Sequence, residues 1–387
     1  MARSVQVYSF GPPRKFDASP PGRSPFTPRG RYSGGQWRLF KKGRTGKCAQ
    51  QRPMTLTHPH DLVQMRPEGL YCPAGDFHID PWRPVPRAVI THGHSDHART
   101  GMGRYHAATP GLPILRWRLG EQDVAGHAYG EPFTLGAARV SLHPAGHVLG
   151  SAQVRIEVDG EVWVASGDYK RQPDPTCAPF EVQACDTFIT EATFGLPVYR
   201  WPDTPDVAAD VVAWRQECAV RGEAAILYCY ALGKGQRVLA ELARLSDDPV
   251  WLHGAMQAGV QIYRDAGIAL GNTAMVADAA PGFDFAGQLV LAPPSAAGSP
   301  WLRRFKRAQQ GFASGWMLVR GNRRRRNFDR GFVVSDHADW PALLRTVRQT
   351  GATRVIATHG NTEALIRTLN EEGIATEAFA TQYGEEN

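Results

Sequence analysis

The chain of 387 residues reads as a mixed α/β protein on three observations. Short runs rich in β-branched and aromatic residues alternate with turn residues. A strand, turn, helix order occurs twice, and metal-competent side chains fall directly after apolar runs. Residues 88–91 (AVIT), 140–143 (VSLH), 152–158 (AQVRIEV), 161–166 (EVWVAS) and 187–191 (TFITE) are predicted strands. Asp159-Gly160 between two of them is the pair that a tight type I′ hairpin wants.

From about residue 200 to 330 the pattern changes. Asp203 is placed to cap a helix whose apolar positions Val207, Val211, Trp214 and Cys218 recur at helical spacing. A strand at 224–230 (AAILYCY), a Gly-containing turn (ALGKGQ) and a helix from about Gln236 to Leu245 follow. The end of the chain repeats this order, with a helix at 340–349, a strand at 353–358 and a helix at 362–370.

Hydrophobic content of 42% and charged content of 21% are those of a soluble globular protein, and the length allows a large core and two lobes. No run approaches the roughly 20 apolar residues of a membrane span, and no signal peptide is apparent. The six cysteines form no CxxC pair and suit a reducing cytoplasm, the expected location. The net charge of +7 is unevenly spread: residues 1–53 hold twelve Lys or Arg and one acid, Asp17, for a net of +11. That segment is rich in Pro, Gly, Ser and Arg without apolar periodicity, and is expected to be a disordered basic extension. Its charge suits nucleic acid, though an extension with no role fits equally well.

The chemistry concentrates in Thr91 to His97, THGHSDH, where His92, His94, Asp96 and His97 share one loop. Packing alone does not call for so many imidazoles and carboxylates there, because each is costly to bury unpaired. His147, Asp168 and His359 each follow an apolar strand, from which a side chain can project into a shared cleft. Five histidines and two aspartates without thiolate suit two divalent ions, Zn foremost with Mn or Fe as alternatives, and one bridging carboxylate. Two such ions share a hydroxide and polarise a phosphoryl or carbonyl oxygen, which makes hydrolysis the natural reaction. Asp96 beside that hydroxide has a second expected role as proton acceptor.

The THGHSDH loop with His147, Asp168 and His359 resembles the HxHxDH signature and downstream ligands of the metallo-β-lactamase fold. The resemblance implies an αββα sandwich with its metal site at one sheet edge. His92, His94 and His147 would then bind one metal, Asp96, His97 and His359 the other, and Asp168 would bridge. Roughly 130 residues between Asp168 and His359 look like the inserted α/β cap of β-CASP nucleases, with Glu191, His337 and His359 at that group's motifs A, B and C. The implied organisation is a basic extension at 1–53, a metallo-β-lactamase part at 54–200, a cap at 201–330 and a returning part at 331–387.

Within β-CASP, the phrases LYCPAGDFHIDPWRPV, HPAGHVLGSAQVRI, SGDYKRQPDPTCAPFE and RGFVVSDHADWP are similar to bacterial ligase-associated DNA-damage-response exonucleases, relatives of SNM1 and Pso2. The match runs from about residue 58 to 380. It implies a DNA exonuclease, 5′ to 3′ by similarity to SNM1, that acts on single-stranded or duplex ends in end processing or repair. A DNA ligase and a helicase are the implied functional associates. Histidine at motif C is shared with RNA-processing members, so an RNA-processing ribonuclease is the alternative, followed by a small-molecule hydrolase and a silent scaffold.

In that frame Glu191 orients a metal-ligating histidine, or as a strand-end acid pairs with an arginine. His337 contacts the scissile phosphate and helps protonate the leaving oxygen. Lys234 at a helix start, and Arg323, Arg324, Arg325 and Arg326 in one run, are the expected phosphate contacts. Arg303, Arg304, Lys306 and Arg307 add to this charge, and Trp301 and Trp316 either stack on bases or pack in a core.

Overall fold

A computed structural model of the chain describes residues 60–201, 207–319 and 328–379. The basic segment 1–53, the expected cap Asp203 and the run Arg323 to Arg326 lie outside these described residues. Among the described residues three sheets are formed. The first comprises β1 (Gln64–Arg66), β2 (Gly69–Cys72), β3 (Phe77–Ile79), β4 (Arg87–Ile90), β5 (Arg104–Ala108) and β6 (Val124–His127), in that spatial order. Its first three strands are antiparallel and the rest parallel, with α1 (Leu112–Leu119) crossing from β5 to β6.

The chain then runs an antiparallel meander through β7 (Pro132–Leu135), β8 (Ala138–Pro144), β9 (Ala152–Val158) and β10 (Glu161–Ala165), before β11 (Thr187–Ala192) joins in parallel. Asp159 and Gly160 take φ of 50° and 86°, the left-handed pair a type I′ turn requires, and Val158 faces Glu161 across the hairpin.

After β11 the chain leaves this sheet and builds the third. Its elements are α2 (Val207–Val220), β12 (Ala224–Tyr228), α3 (Lys234–Leu242), β13 (Val250–Leu252), α4 (Gln257–Asp265), β14 (Thr273–Met275), β15 (Leu289–Ala292), β16 (Ala308–Ala313) and β17 (Arg330–Phe332). All its strand pairs are parallel, in the order β14-β13-β15-β12-β16-β17. Helix α5 (Trp340–Thr350), β18 (Arg354–Gly360), α6 (Thr362–Glu371) and β19 (Ala375–Ala378) then complete the second sheet. Strand β18 lies directly beside β11 although the whole third sheet separates them in sequence.

Strand alternation assigns successive residues to different cores. In β18, Ile356 enters the cluster shared by the first and second sheets, which contains Val89, Val140, Val154, Trp163 and Ile189, while Val355 and Ala357 pack against Leu343 and Leu365 of α5 and α6. In β4, Val89 joins the shared cluster, and Ala88 and Ile90 face Leu115 and Leu119 of α1. In β12, Ala225 and Leu227 meet Trp214, Leu239 and Val260 from α2, α3 and α4, and the other face is covered by Phe285, Phe305 and Phe312.

The expected helix at 236–245 begins two residues earlier and ends at Leu242. Gly233 turns the chain with φ 84°, and the Gln236 side chain accepts from Gly233 N and donates to Ala231 O, so Lys234 and Gly235 already belong to the first turn. Helix α5 is capped by Asp339, whose Oδ1 accepts from Ala342 N, and stops at Gly351 with φ 69°. Cys72, Cys185, Cys218 and Cys229 are buried and Cys177 half-buried, all as free thiols. No helix among the described residues is long and apolar enough to cross a membrane.

Candidate metal centre

Every expected ligand stands at or just beyond the carboxyl end of a strand. The loop with His92, His94, Asp96 and His97 follows β4, His147 follows β8, Asp168 follows β10, and His359 lies in β18. Glycine makes the approach of two of these loops possible. Gly167, with φ 56°, lies against Thr91 so closely that a Cβ there would sit 2.7 Å from Thr91 Cβ, which seats Asp168 against the histidine loop.

His92 Nε2 lies 3.2 Å from His94 Nδ1, and His147 Nε2 lies 3.1 Å from the same nitrogen. Asp168 Oδ2 is 3.5 Å from His92 Nε2 and 3.8 Å from His147 Nε2. These separations look like ring-to-ring hydrogen bonds until the protons are assigned. Thr91 Oγ1 donates to Asp80 Oδ2, so its oxygen accepts from His92 Nδ1. His94 Nε2 donates to Leu232 O at 3.2 Å, and His147 Nδ1 donates to Asp336 O at 2.8 Å. With each outer nitrogen committed to an acceptor, the three inner nitrogens of the neutral rings present lone pairs to one another.

Burial, followed by the neighbouring imidazoles, holds His92 and His147 well below the ordinary histidine value, and burial lowers His94. The rings are therefore neutral, the state a metal requires. A tetrahedral Zn site with bonds of about 2.0–2.1 Å has ligand-to-ligand edges of about 3.3 Å. The observed edges bracket that value, so the donor set and its spacing fit a divalent ion.

Asp168 also reaches the remaining ligands. Its Oδ2 is 3.3 Å from His97 Nε2 and its Oδ1 is 3.0 Å from His359 Nε2. Asp96 Oδ2 stands 3.7 Å from His97 Nε2, with its side chain 42% exposed at the mouth of the site. His97 Nδ1 donates to Asp80 Oδ2 at 2.7 Å. Burial opposes charge on His97, but the flanking Asp168 and Asp80 carboxylates outweigh it and raise its value well above the ordinary one. Burial likewise disfavours charge on Asp168, and His97 and His337 overcome it and hold that carboxyl well below its usual range.

Glu191 differs from expectation in its partner. Its carboxylate is buried and accepts from His337 Nδ1 at 2.8 Å, Thr193 Oγ1 at 2.6 Å and Tyr169 N at 2.8 Å, so it orients His337 rather than one of the seven candidate ligands, and among the described residues no arginine meets it. The His337 ring packs 4.8 Å from that of His147. Beyond it opens a cleft of about 450 Å³ whose lining includes His337, Arg171, Arg200, Arg345 and Asp339.

The charged residues expected to meet phosphate are placed less simply. Lys234 is buried, with Nζ 3.3 Å from Asp336 Oδ2, and is neither an exposed turn residue nor open to a phosphate. Arg304 donates to Val276 O, Lys306 pairs with Asp284 and Arg307 with Glu223, all on the surface with Arg303. Trp301 packs on His253 and Phe305, and Trp316 on Phe194 and Tyr199, which makes both part of aromatic clusters. Asp80, Leu232 and Asp336 escaped the sequence reading. Asp80 stood in a quoted phrase with no role assigned, and backbone carbonyls leave no signature in side-chain type.

These features define a buried imidazole and carboxylate cluster able to hold metal ions at the strand ends of a mixed sheet. No protein-family model matches the chain. Over 327 residues, 82% of its length, it is 32% identical to a probable DNA ligase of Opitutus terrae, of which the match covers 31%. It is 26% identical over 133 residues to an RNase J-like protein of Methanocaldococcus jannaschii, covering 32% of each chain. It is 31% identical over 147 residues to the endoribonuclease ysh1 of Aspergillus fumigatus, 36% of this chain and 15% of that one. The chain thus spans about a third or less of the length of these relatives. A crystal structure of a protein of unknown function from Enterococcus faecalis V583 shares the fold, with TM-score 0.51 and 13% identity over 77% of this chain and 80% of that one. These matches agree with the β-CASP family of the metallo-β-lactamase fold that the ordered ligand set resembles.

Proposed function

We propose that this chain is a metal-dependent phosphodiesterase that degrades DNA from an end, in end processing or repair. The observation that carries the reading is the convergence of three proton-free imidazole nitrogens and Asp168 at tetrahedral spacing, beside a histidine that borders an arginine-lined cleft. In this reading the first and second sheets are the αββα sandwich of residues 54–200 and 331–387, and the third sheet is the β-CASP cap of residues 201–330.

His92, His94 and His147 would hold one ion, Asp96, His97 and His359 a second, and Asp168 both. Zn suits the ligand set best, with Mn as the alternative. Such a pair, when bound, supplies a hydroxide nucleophile at neutral pH and draws charge from the phosphoryl oxygens. The chain's own groups do the rest. Asp96, exposed at the mouth, accepts a proton from the attacking water. Glu191 holds the His337 proton on Nδ1, so exchange with the departing oxygen runs through Nε2. Arg171, Arg200 and Arg345 oppose the phosphate charge of a strand entering the cleft, and exclude uncharged lactam or thioester substrates as the better fit.

DNA is favoured over RNA because the match named as a probable DNA ligase spans 82% of this chain, whereas the matches named as ribonucleases span between 27% and 39% of it. The same match supports functional association with a ligase. Digestion of one sequence as DNA and as RNA, each labelled separately at the 5′ and 3′ ends, tests the reading with Zn and Mn compared. Mononucleotide release from 5′-labelled DNA is the expected result, and preferential loss of RNA would overturn the choice of substrate.

A further inference from the structure

Two of the three imidazoles at the first site are oriented by atoms from outside the sheets that carry them. His94 donates to Leu232 O, in the turn that leads into α3. His147 donates to Asp336 O, in the segment that leaves β17. Lys234 opens α3, and its ammonium lies 3.3 Å from Asp336 Oδ2 with the two side chains only 5% and 4% exposed. The other oxygen, Asp336 Oδ1, is buried with no hydrogen-bond partner among the described residues, so Lys234 foremost, with Lys170 and Arg237 behind it, offsets the burial of this carboxylate.

A second strut runs parallel to the first. Lys170, two residues after Asp168, pairs with Asp174, and Arg237 of α3 stands 3.8 Å from the same carboxylate while donating to Ser335 O at 2.7 Å. Helix α3 therefore grips both the loop that carries Asp168 and the segment that orients His147.

We propose that Lys234 is a positioning residue: by holding Asp336 it fixes the carbonyl that orients His147, and so makes affinity at the first metal site depend on the seating of α3. This rests on reading the histidine cluster as a metal centre, and not on the identity of the nucleic acid. If Lys234 is removed, Asp336 keeps a buried charge without its partner and shifts toward a proton or water. Its carbonyl moves with it, and the hydrogen bond to His147 Nδ1 loosens. Loss of such an outer contact to a ligating histidine costs about 10- to 100-fold in metal affinity. By linkage, metal bound at the first site stiffens the seating of α3 in return.

The test is Zn²⁺ binding by the full chain in competition with a chromophoric chelator, with the Co²⁺ absorption spectrum as a report on site geometry. K234M should lose about 10- to 100-fold at one of two sites, and K234R should restore most of it. The double variant K234M/D336N, with neither buried charge, should bind more tightly than K234M. Unchanged affinity in a folded K234M, with KM for substrate raised instead, would mean that Lys234 holds phosphate and would overturn the proposal. If K234M does not fold, D336N decides: weaker first-site binding supports the proposal and wild-type affinity sinks it. A wild-type chain that binds no Zn²⁺ would instead refute the metal-centre reading itself.

Discussion

Asp80 offers the sharpest perturbation of the centre. Its Oδ1 accepts from Thr91 N at 2.7 Å, and its Oδ2 accepts from Thr91 Oγ1 and from His97 Nδ1, the latter at 2.7 Å. The residue is buried and sits at φ 43°, a conformation that asparagine tolerates well, so Asp80→Asn changes chemistry more than shape. The amide can keep the bond from Thr91 N through its oxygen, but its NH₂ then faces two former donors. His97 regains a partner only by moving its proton to Nε2, the nitrogen that must carry the lone pair. One charge-assisted hydrogen bond is worth about 1.5–3 kcal/mol, which corresponds to roughly 10- to 150-fold in affinity at the second site. Titration with Zn²⁺ against a chelator should show the second site weakened by that factor, and the first site weakened too, because Thr91 Oγ1 loses the acceptor that sets its bond to His92 Nδ1. Two sites of wild-type affinity in a folded Asp80→Asn chain would refute the assignment of Asp80 as the group that sets the His97 tautomer.

Metal affinity at the second site should rise with pH, because the metal-free His97 holds an extra proton between Asp80 and Asp168. That proton's stabilising contribution is full below about pH 6.5 and is lost as pH rises through the raised folded value; a pH-independent affinity there would contradict the pairing. Glu191→Gln should lower cleavage by about 10- to 100-fold while leaving metal stoichiometry at the wild-type value, measured by single-turnover digestion and metal analysis, since the carboxylate serves His337 and not a ligand. His106, packed with His127 and Phe133, is held down to about 4 by burial and then by the His127 charge. Its neutral state therefore contributes stability that is full above about pH 6.5 and is lost as pH falls toward 4, and thermal melts of His106→Phe should show a flatter dependence across that window. His94→Ala or Asp168→Ala should abolish cleavage with the fold largely kept, and full activity in a metal-stripped double variant would sink the nuclease reading.

Much of the centre was legible in the sequence, because side chains at the end of an apolar strand or in the loop that leaves it must emerge at a sheet edge, and strand alternation settles which side chains turn inward. The seven candidate ligands could be named in chain order without coordinates. The β9–β10 hairpin was equally plain, since Asp159-Gly160 satisfies a local backbone demand. Short strands such as β13 and β14 were not legible, because three residues carry no period and are held by neighbours distant in sequence. The partners of Glu191 and Lys234 were hidden for a related reason: a carboxylate near a strand end looks the same whether it meets an arginine, a ligand or His337, and only the approach of the segment 335–337 to β11 and α3 chooses.

The sequence alone determined the identity and order of the candidate metal donors, because that chemistry is written in residue type and local spacing. Only the tertiary structure decided which nitrogen of His92, His94, His97 and His147 faces inward. Asp80, Leu232 O and Asp336 O make that choice, and two of these are backbone atoms, present at every residue and distinguished by nothing except where the fold carries them.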